Sequence, residues 1–78
     1  MEFERMQDLL AQIITLESAF GHYNMFKNME RTKNLRDRLA IDYDTDLSLE
    51  DDCLAILKDN EKLLERFFED TKDVYIHI

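Results

Sequence analysis

Apolar side chains recur every three or four residues along most of this chain. In the first third they are Phe3, Met6, Leu9, Ile13, Leu16, Phe20 and Tyr23. This spacing places the side chains on one face of an amphipathic helix. The pattern therefore predicts a first helix at about residues 2–20.

A second amphipathic segment follows the stretch GHYN at residues 21–24. Gly21 can adopt the left-handed backbone that ends a helix, and Asn24 can cap the next helix, which is predicted at about residues 24–42. The predicted buried side of this helix consists of Met25, Phe26, Met29, Leu35, Leu39 and Ile41, and its basic side of Lys27, Arg31, Lys33, Arg36 and Arg38. The alternative is a single rod over residues 2–41, roughly 60 Å long at 1.5 Å per residue. A break is favoured because the rest of the chain is too short to cover such a rod.

The third segment follows an acidic turn at residues 43–48 and is predicted to be a helix at about residues 49–72. Ser48 and Asp51 have the spacing of a capping box, and the acidic residues at 50–52 suit the positive end of the helix dipole. The tail at residues 73–78 changes to a period of two. We interpret it as a frayed helix end, an extended arm packed on the bundle, or a strand that pairs with another chain.

The composition favours helices over sheets. The 78 residues include one glycine and no proline, whereas a sandwich or barrel needs turn residues at short intervals. The predicted fold class is all-α, with residues 1–78 forming a single small antiparallel bundle of two or three helices. A chain of this length buries only about 60% of the surface that it exposes when unfolded. We therefore expect a homodimer to complete the bundle.

The net charge of −8 is distributed unevenly. Residues 24–41 contain five basic and two acidic residues, whereas residues 42–78 contain four basic and twelve acidic residues. Phosphate groups would be repelled by most of this surface, so direct binding to nucleic acid or to a membrane is not expected. The sequence has no signal-peptide pattern and no apolar run of about 20 residues. The expected location is the cytoplasm, or the host cytoplasm for a phage protein.

Alternating aspartates open the segment DYDTDLSLEDDC at residues 42–53, as they do in a calcium loop of the EF-hand kind. The sixth position, which needs glycine, is Leu47, and the twelfth, which needs a bidentate glutamate, is Cys53. We interpret the segment as an acidic turn, and we predict no metal site, cofactor or catalytic residue. Cys53 lies in register with Leu49 and Ile56, which predicts a core cysteine rather than a nucleophile.

The most informative surface is predicted on the third helix. Acidic residues recur there at every fourth position, and two adjacent aromatic rings accompany them: Glu61, Glu65, Glu69 and Asp73, with Phe67 and Phe68. Carboxylates about 6 Å apart along one face repel one another, so such a ridge suits a basic partner. We predict that these six residues form a partner-binding site.

These features predict a non-enzymatic interaction protein that binds and modulates a macromolecular partner. The size and charge are typical of a small phage, plasmid or bacterial regulator or inhibitor. The expected partner is a protein, and in the sharper form of the hypothesis it is a basic nucleic-acid-binding protein whose phosphate site the acidic ridge imitates. One alternative is an assembly subunit whose function is self-association. Another is a small enzyme that holds an anionic substrate with Arg31, Arg36 or Arg38.

Overall fold

Four helices make up the computed structural model, which describes the backbone of residues 1–76 and the side chains of residues 1–72. The helices are Phe3–His22 (α1), Phe26–Asp42 (α2), Leu49–Asp59 (α3) and Glu61–Ile76 (α4). The all-α fold class is confirmed, and residues 1–76 contain no strand. The predicted number of two or three helices is wrong, because the third predicted helix is divided into α3 and α4. Of the predicted tail, residues 73–76 continue α4, whereas His77 and Ile78 lie outside the described residues.

The first helix occupies the centre of the bundle and contacts each of the other three. Phe3, at the beginning of α1, packs edge-on against Tyr43 after the end of α2, with 6.0 Å between the ring centroids. The second helix therefore runs back along the first. The main buried cluster draws on the first three helices and consists of Met6, Leu9, Ile13, Leu16, Phe20, Leu39, Leu49, Cys53 and Leu57.

The break between α1 and α2 is a Schellman motif. The backbone N–H of Met25 donates to the carbonyl of Phe20 at 2.8 Å, and that of Asn24 donates to the carbonyl of Gly21 at 3.1 Å. Asn24 adopts the left-handed conformation, with φ 60°. The prediction assigned that conformation to Gly21 and the cap of α2 to Asn24, and both assignments are wrong. Gly21 remains helical, and asparagine is the non-glycine residue that most readily takes the C′ position.

The buried side of α2 differs from the prediction at three positions. Met25, Phe26 and Ile41 are exposed, with Ile41 74% exposed. Thr32 is fully buried instead, and its hydroxyl donates to the carbonyl of Asn28 at 2.7 Å. The predicted set spans too wide an arc of a helix that presents only one narrow side to the core.

The predicted capping box does not form at the beginning of α3, and Asp46 instead orders the turn that precedes the helix. The Asp46 carboxylate accepts the Ser48 backbone N–H at 3.1 Å and the Ser48 hydroxyl at 2.8 Å. Ser48 has helical backbone angles and makes no side-chain cap hydrogen bond. The helix begins at Leu49, as predicted, and Leu47 in the preceding turn is 93% exposed.

Asn60 divides the third predicted helix. Its side-chain amide donates to the carbonyl of Ile56 at 2.8 Å, and its backbone N–H donates to the carbonyl of Leu57 at 3.3 Å. The side chain thereby takes the acceptor that the next helical N–H would use, which is how asparagine interrupts helices. The carbonyl of Asn60 then accepts the N–H of Leu64 and starts α4. The break redirects the chain so that α4 packs against α1.

Basic side chains of α2 neutralise acidic side chains of its neighbours. A nitrogen of Arg36 contacts both carboxylate oxygens of Glu17 on α1, at 2.6 and 2.8 Å. Arg38 donates to Asp46 at 2.7 Å and to Asp52 at 3.2 Å. Two of the five basic side chains of α2 are therefore engaged within the fold.

Within the described residues, no helix has both the length and the apolar character needed to cross a membrane. The predicted homodimer remains a prediction.

Candidate functional site

The fourth helix turns one aromatic ring inward and the next one outward. Phe67 is 6% exposed and packs edge-on against His22, with 5.5 Å between the ring centroids, whereas Phe68 is 56% exposed. Thr71 is also buried, and its hydroxyl donates to the carbonyl of Phe67 at 2.7 Å. Of the two predicted rings, Phe67 therefore belongs to the packing between α4 and α1, and Phe68 belongs to the surface.

A polar cluster fastens one edge of α4 to the end of α1. The Tyr23 hydroxyl donates to the Asp70 carboxylate at 2.5 Å, and the Arg66 guanidinium lies 4.9 Å from the centroid of the Tyr23 ring. Arg66 also lies 3.6 Å from Asp70. Desolvation and the hydrogen bond to Asp70 both raise the pKa of the Tyr23 phenol. These contacts fix the rotation of α4 and leave the opposite edge open.

The predicted acidic ridge lies on the solvent side of α4. Glu61, Glu65 and Glu69 are all exposed. Lys72 donates to Glu69 at 2.7 Å and partly neutralises it. The side chain of Asp73 lies outside the described residues. Within the described part of the chain, Glu61 and Glu65 form no ion pair, so they carry the net negative charge of this surface.

A shallow cleft of about 140 Å³ lies between α1 and the open edge of α4. Leu64 and Phe68 supply its apolar wall, and Gln12 and Thr15 supply the wall on α1. We call this feature the α1–α4 cleft. The two α1 residues were not among the predicted site residues. Only the packing angle set by the Asn60 break brings them to α4, and no local pattern in the sequence indicates that angle.

The three arginines proposed for an anion site do not come together. Arg36 and Arg38 are held by carboxylates, as described above. Arg31 lines a second cleft of about 160 Å³, which Asp59 and two asparagines, Asn28 and Asn60, also line. A carboxylate in the same small cleft opposes the attraction that Arg31 would exert on an anion.

The acidic turn and Cys53 are both engaged in contacts within the fold. The Arg38 guanidinium and the Ser48 hydroxyl lower the pKa of the Asp46 carboxyl through hydrogen bonds. Cys53 is fully buried, as its register predicted, and burial raises the pKa of its thiol to about 11. Within residues 1–72, no three histidine, cysteine or acidic side chains are arranged to hold a metal ion.

Comparison of the chain with protein-family models, with curated proteins and with solved structures finds no match. The site is therefore interpreted from its own geometry and charge.

Proposed function

We propose that this chain is a non-enzymatic interaction protein that binds a basic protein partner through the exposed face of α4. The observation that carries the proposal is the juxtaposition of an exposed aromatic ring, Phe68, with the exposed carboxylates of Glu61 and Glu65. Aromatic side chains supply much of the binding energy at protein interfaces, and surrounding charges steer the partner and select it.

The distribution of charge supports a basic partner. The net charge is −8, and the arginines of α2 that could attract an acidic partner are largely engaged by carboxylates within the bundle. The ridge remains exposed to solvent, where a partner rich in lysine and arginine gains favourable electrostatic energy as it approaches. A regulator or inhibitor that covers a phosphate-binding surface of its partner is the sharper form of this proposal.

The proposal is tested by isolating the partner on immobilised protein and measuring its affinity at several salt concentrations. We expect affinity to fall as salt rises, because salt screens the charges at the rim of such an interface. The double variant Glu65→Lys plus Glu69→Lys should weaken binding about tenfold or more. The control is Glu30→Lys plus Asp44→Lys, which changes the net charge equally at exposed positions away from α4. If both double variants lose the same affinity for the partner, the effect is one of overall charge, and the assignment of the binding site to α4 is refuted.

The regulatory form of the proposal has its own assay. If the ridge imitates a nucleic-acid backbone, this protein should displace duplex DNA from the isolated partner. The variant Glu65→Lys plus Glu69→Lys should no longer displace the DNA. A partner that binds DNA and this protein simultaneously would refute mimicry and leave the interaction itself standing.

Self-association is the second candidate function. It is favoured by Phe26, which lies at the beginning of α2 and is 57% exposed. Sedimentation equilibrium of wild type and Phe26→Ser distinguishes the candidates. A dimer that weakens in Phe26→Ser supports assembly, whereas a monomer at all concentrations excludes it.

A further inference from the structure

We infer that the α1–α4 cleft is an anchor site for one apolar side chain on a basic helical segment of the partner. This inference rests on the proposed function and adds the chemistry of the bound segment: an apolar residue flanked by lysine or arginine. The juxtaposition that carries it is an open apolar cleft with exposed carboxylates one helical turn away on both of its helices.

The size of the cleft suits one side chain. Its volume of about 140 Å³ is close to that of engineered apolar cavities of about 150 Å³, which hold a benzene ring. Phe68 and Leu64 lie on one side of it, and more than half of the Phe68 surface is exposed. An inserted apolar side chain would cover this ring and remove it from water.

Most of the charges that flank the cleft are negative, and Lys72, four residues after Phe68, is paired with Glu69 at 2.7 Å. Glu61 precedes Leu64 by three residues and Glu65 precedes Phe68 by three, so each apolar wall residue has a carboxylate one helical turn before it. On the α1 side, Asp8 precedes Gln12 by one turn and is exposed. An acidic or neutral helix would have to desolvate these carboxylates without compensation, whereas a basic helix would pair with them.

The hydrogen bonds of the α1 wall also favour a donor. The Thr15 hydroxyl donates to the carbonyl of Ala11 at 2.9 Å, and the Gln12 amide donates to the carbonyl of Asp8 at 3.3 Å. The hydroxyl proton is thereby used within α1, so Thr15 presents only acceptor lone pairs, whereas Gln12 retains its carbonyl oxygen as an acceptor and one amide N–H as a donor. Lysine and arginine have donors and no acceptors, which makes them the complementary side chains.

The same charges argue against a second copy of this chain as the occupant. Two identical α4 faces would bring two sets of carboxylates together, because a symmetric dimer uses the same surface on both subunits. The repulsion is greatest at the exposed Glu61 and Glu65.

The test uses a short fluorescein-labelled synthetic helix as the probe. It carries one phenylalanine with lysines three and four residues away on both sides, and it is compared with the same peptide in which that phenylalanine is alanine. We expect the phenylalanine peptide to bind wild type about tenfold or more tightly than the alanine peptide. The shifts in the ¹H–¹⁵N spectrum should centre on Gln12, Thr15, Leu64 and Phe68.

Two variants alter the cleft while the ridge keeps its charge. Phe68→Ala removes an exposed wall residue, and Thr15→Phe fills the cleft from α1 at a partly buried position. In each variant the preference for the phenylalanine peptide should fall to about twofold or less, with the helical circular dichroism spectrum unchanged. The control Thr45→Phe adds the same ring at an exposed turn position and should preserve the preference.

The outcomes separate this inference from the proposed function. One outcome is that both peptides bind wild type with equal affinity and both bind Glu61→Lys plus Glu65→Lys more weakly. The acidic face then binds basic partners but the cleft holds no side chain, so this inference fails and the proposed function stands. If neither peptide binds, the inference also fails, and the proposed function is judged by its isolated partner. If Thr15→Phe abolishes a wild-type dimer instead, the occupant is a second copy and the inference is overturned.

Discussion

Replacing Phe67 and Phe68 with alanine, one at a time, should have very different effects on stability although the residues are adjacent. Neighbouring residues on a helix point about 100° apart. The structure places Phe67 at 6% exposure and Phe68 at 56%. Comparing the two alanine substitutions therefore tests the rotation of α4 about its own axis, and the candidate site depends on that rotation.

The expected magnitudes follow from burial. Replacing a buried phenylalanine with alanine costs about 3–5 kcal/mol, because the transfer energy of the ring is lost and a cavity is left. Phe68 buries less than half of its surface and lies at an open cleft, so its transfer energy is about 1 kcal/mol and no closed cavity forms. Alanine also has a higher helix propensity than phenylalanine by about 0.5 kcal/mol. We expect net losses of about 2.5–4.5 kcal/mol for Phe67→Ala and about 0.5 kcal/mol for Phe68→Ala.

Urea unfolding followed by circular dichroism gives both values from the midpoint and the slope. Phe67→Leu is the control for volume, and it should cost less than half as much as Phe67→Ala because most of the apolar contact remains. Equal losses at positions 67 and 68, or a larger loss at 68, would mean that α4 is rotated. The exposed ring and the α1–α4 cleft would then both be assigned incorrectly.

Three further predictions test the interior of the fold. Asn24→Gly should raise the free energy of unfolding, measured by urea unfolding, by about 0.5–1 kcal/mol, and Asn24→Ala should lower it. The reason is that only glycine accepts the left-handed conformation without cost. An increase in stability in Asn24→Ala would contradict the Schellman motif. The folded-state pKa of Asp46 is depressed, so its contribution to stability is present above the unfolded value of 3.8 and is lost as pH falls through the lower folded value. The stability difference between wild type and Arg38→Ala should therefore shrink as pH falls below 3.8, and a difference that grows there would refute the pairing. The pKa of Cys53 is raised from 9.0 to about 11, so wild type should lose stability relative to Cys53→Ala as pH rises between these values, and a constant difference would contradict its burial.

Local sequence patterns predicted the helical fold class well because apolar periodicity is a strong local signal. The stripe from Met6 to Phe20 is buried as predicted, and Cys53 follows the register of its helix. The ends of the helices were less predictable, because several residue types can end a helix. Asn24 rather than Gly21 takes the left-handed position, and the Ser48 hydroxyl donates to Asp46 instead of capping α3.

The candidate site was predicted only on one side. The ridge on α4 follows from the repeat of Glu61, Glu65 and Glu69, and the structure leaves these residues exposed. The opposite wall, Gln12 and Thr15, comes from a helix distant in sequence. Its position depends on the break at Asn60, where one side-chain hydrogen bond competes with the helix. That competition is settled by packing, which the local sequence does not encode.

The main buried cluster of this protein takes all its members from α1, α2 and α3, whereas α4 adds Phe67 and Thr71 beyond that cluster. Substitutions at the solvent-exposed positions of α4, whether natural or designed, should therefore leave the packing of the other three helices intact. A family built on this plan would diverge fastest in its last helix, and exchanging that helix between relatives would be the direct way to exchange their binding preferences.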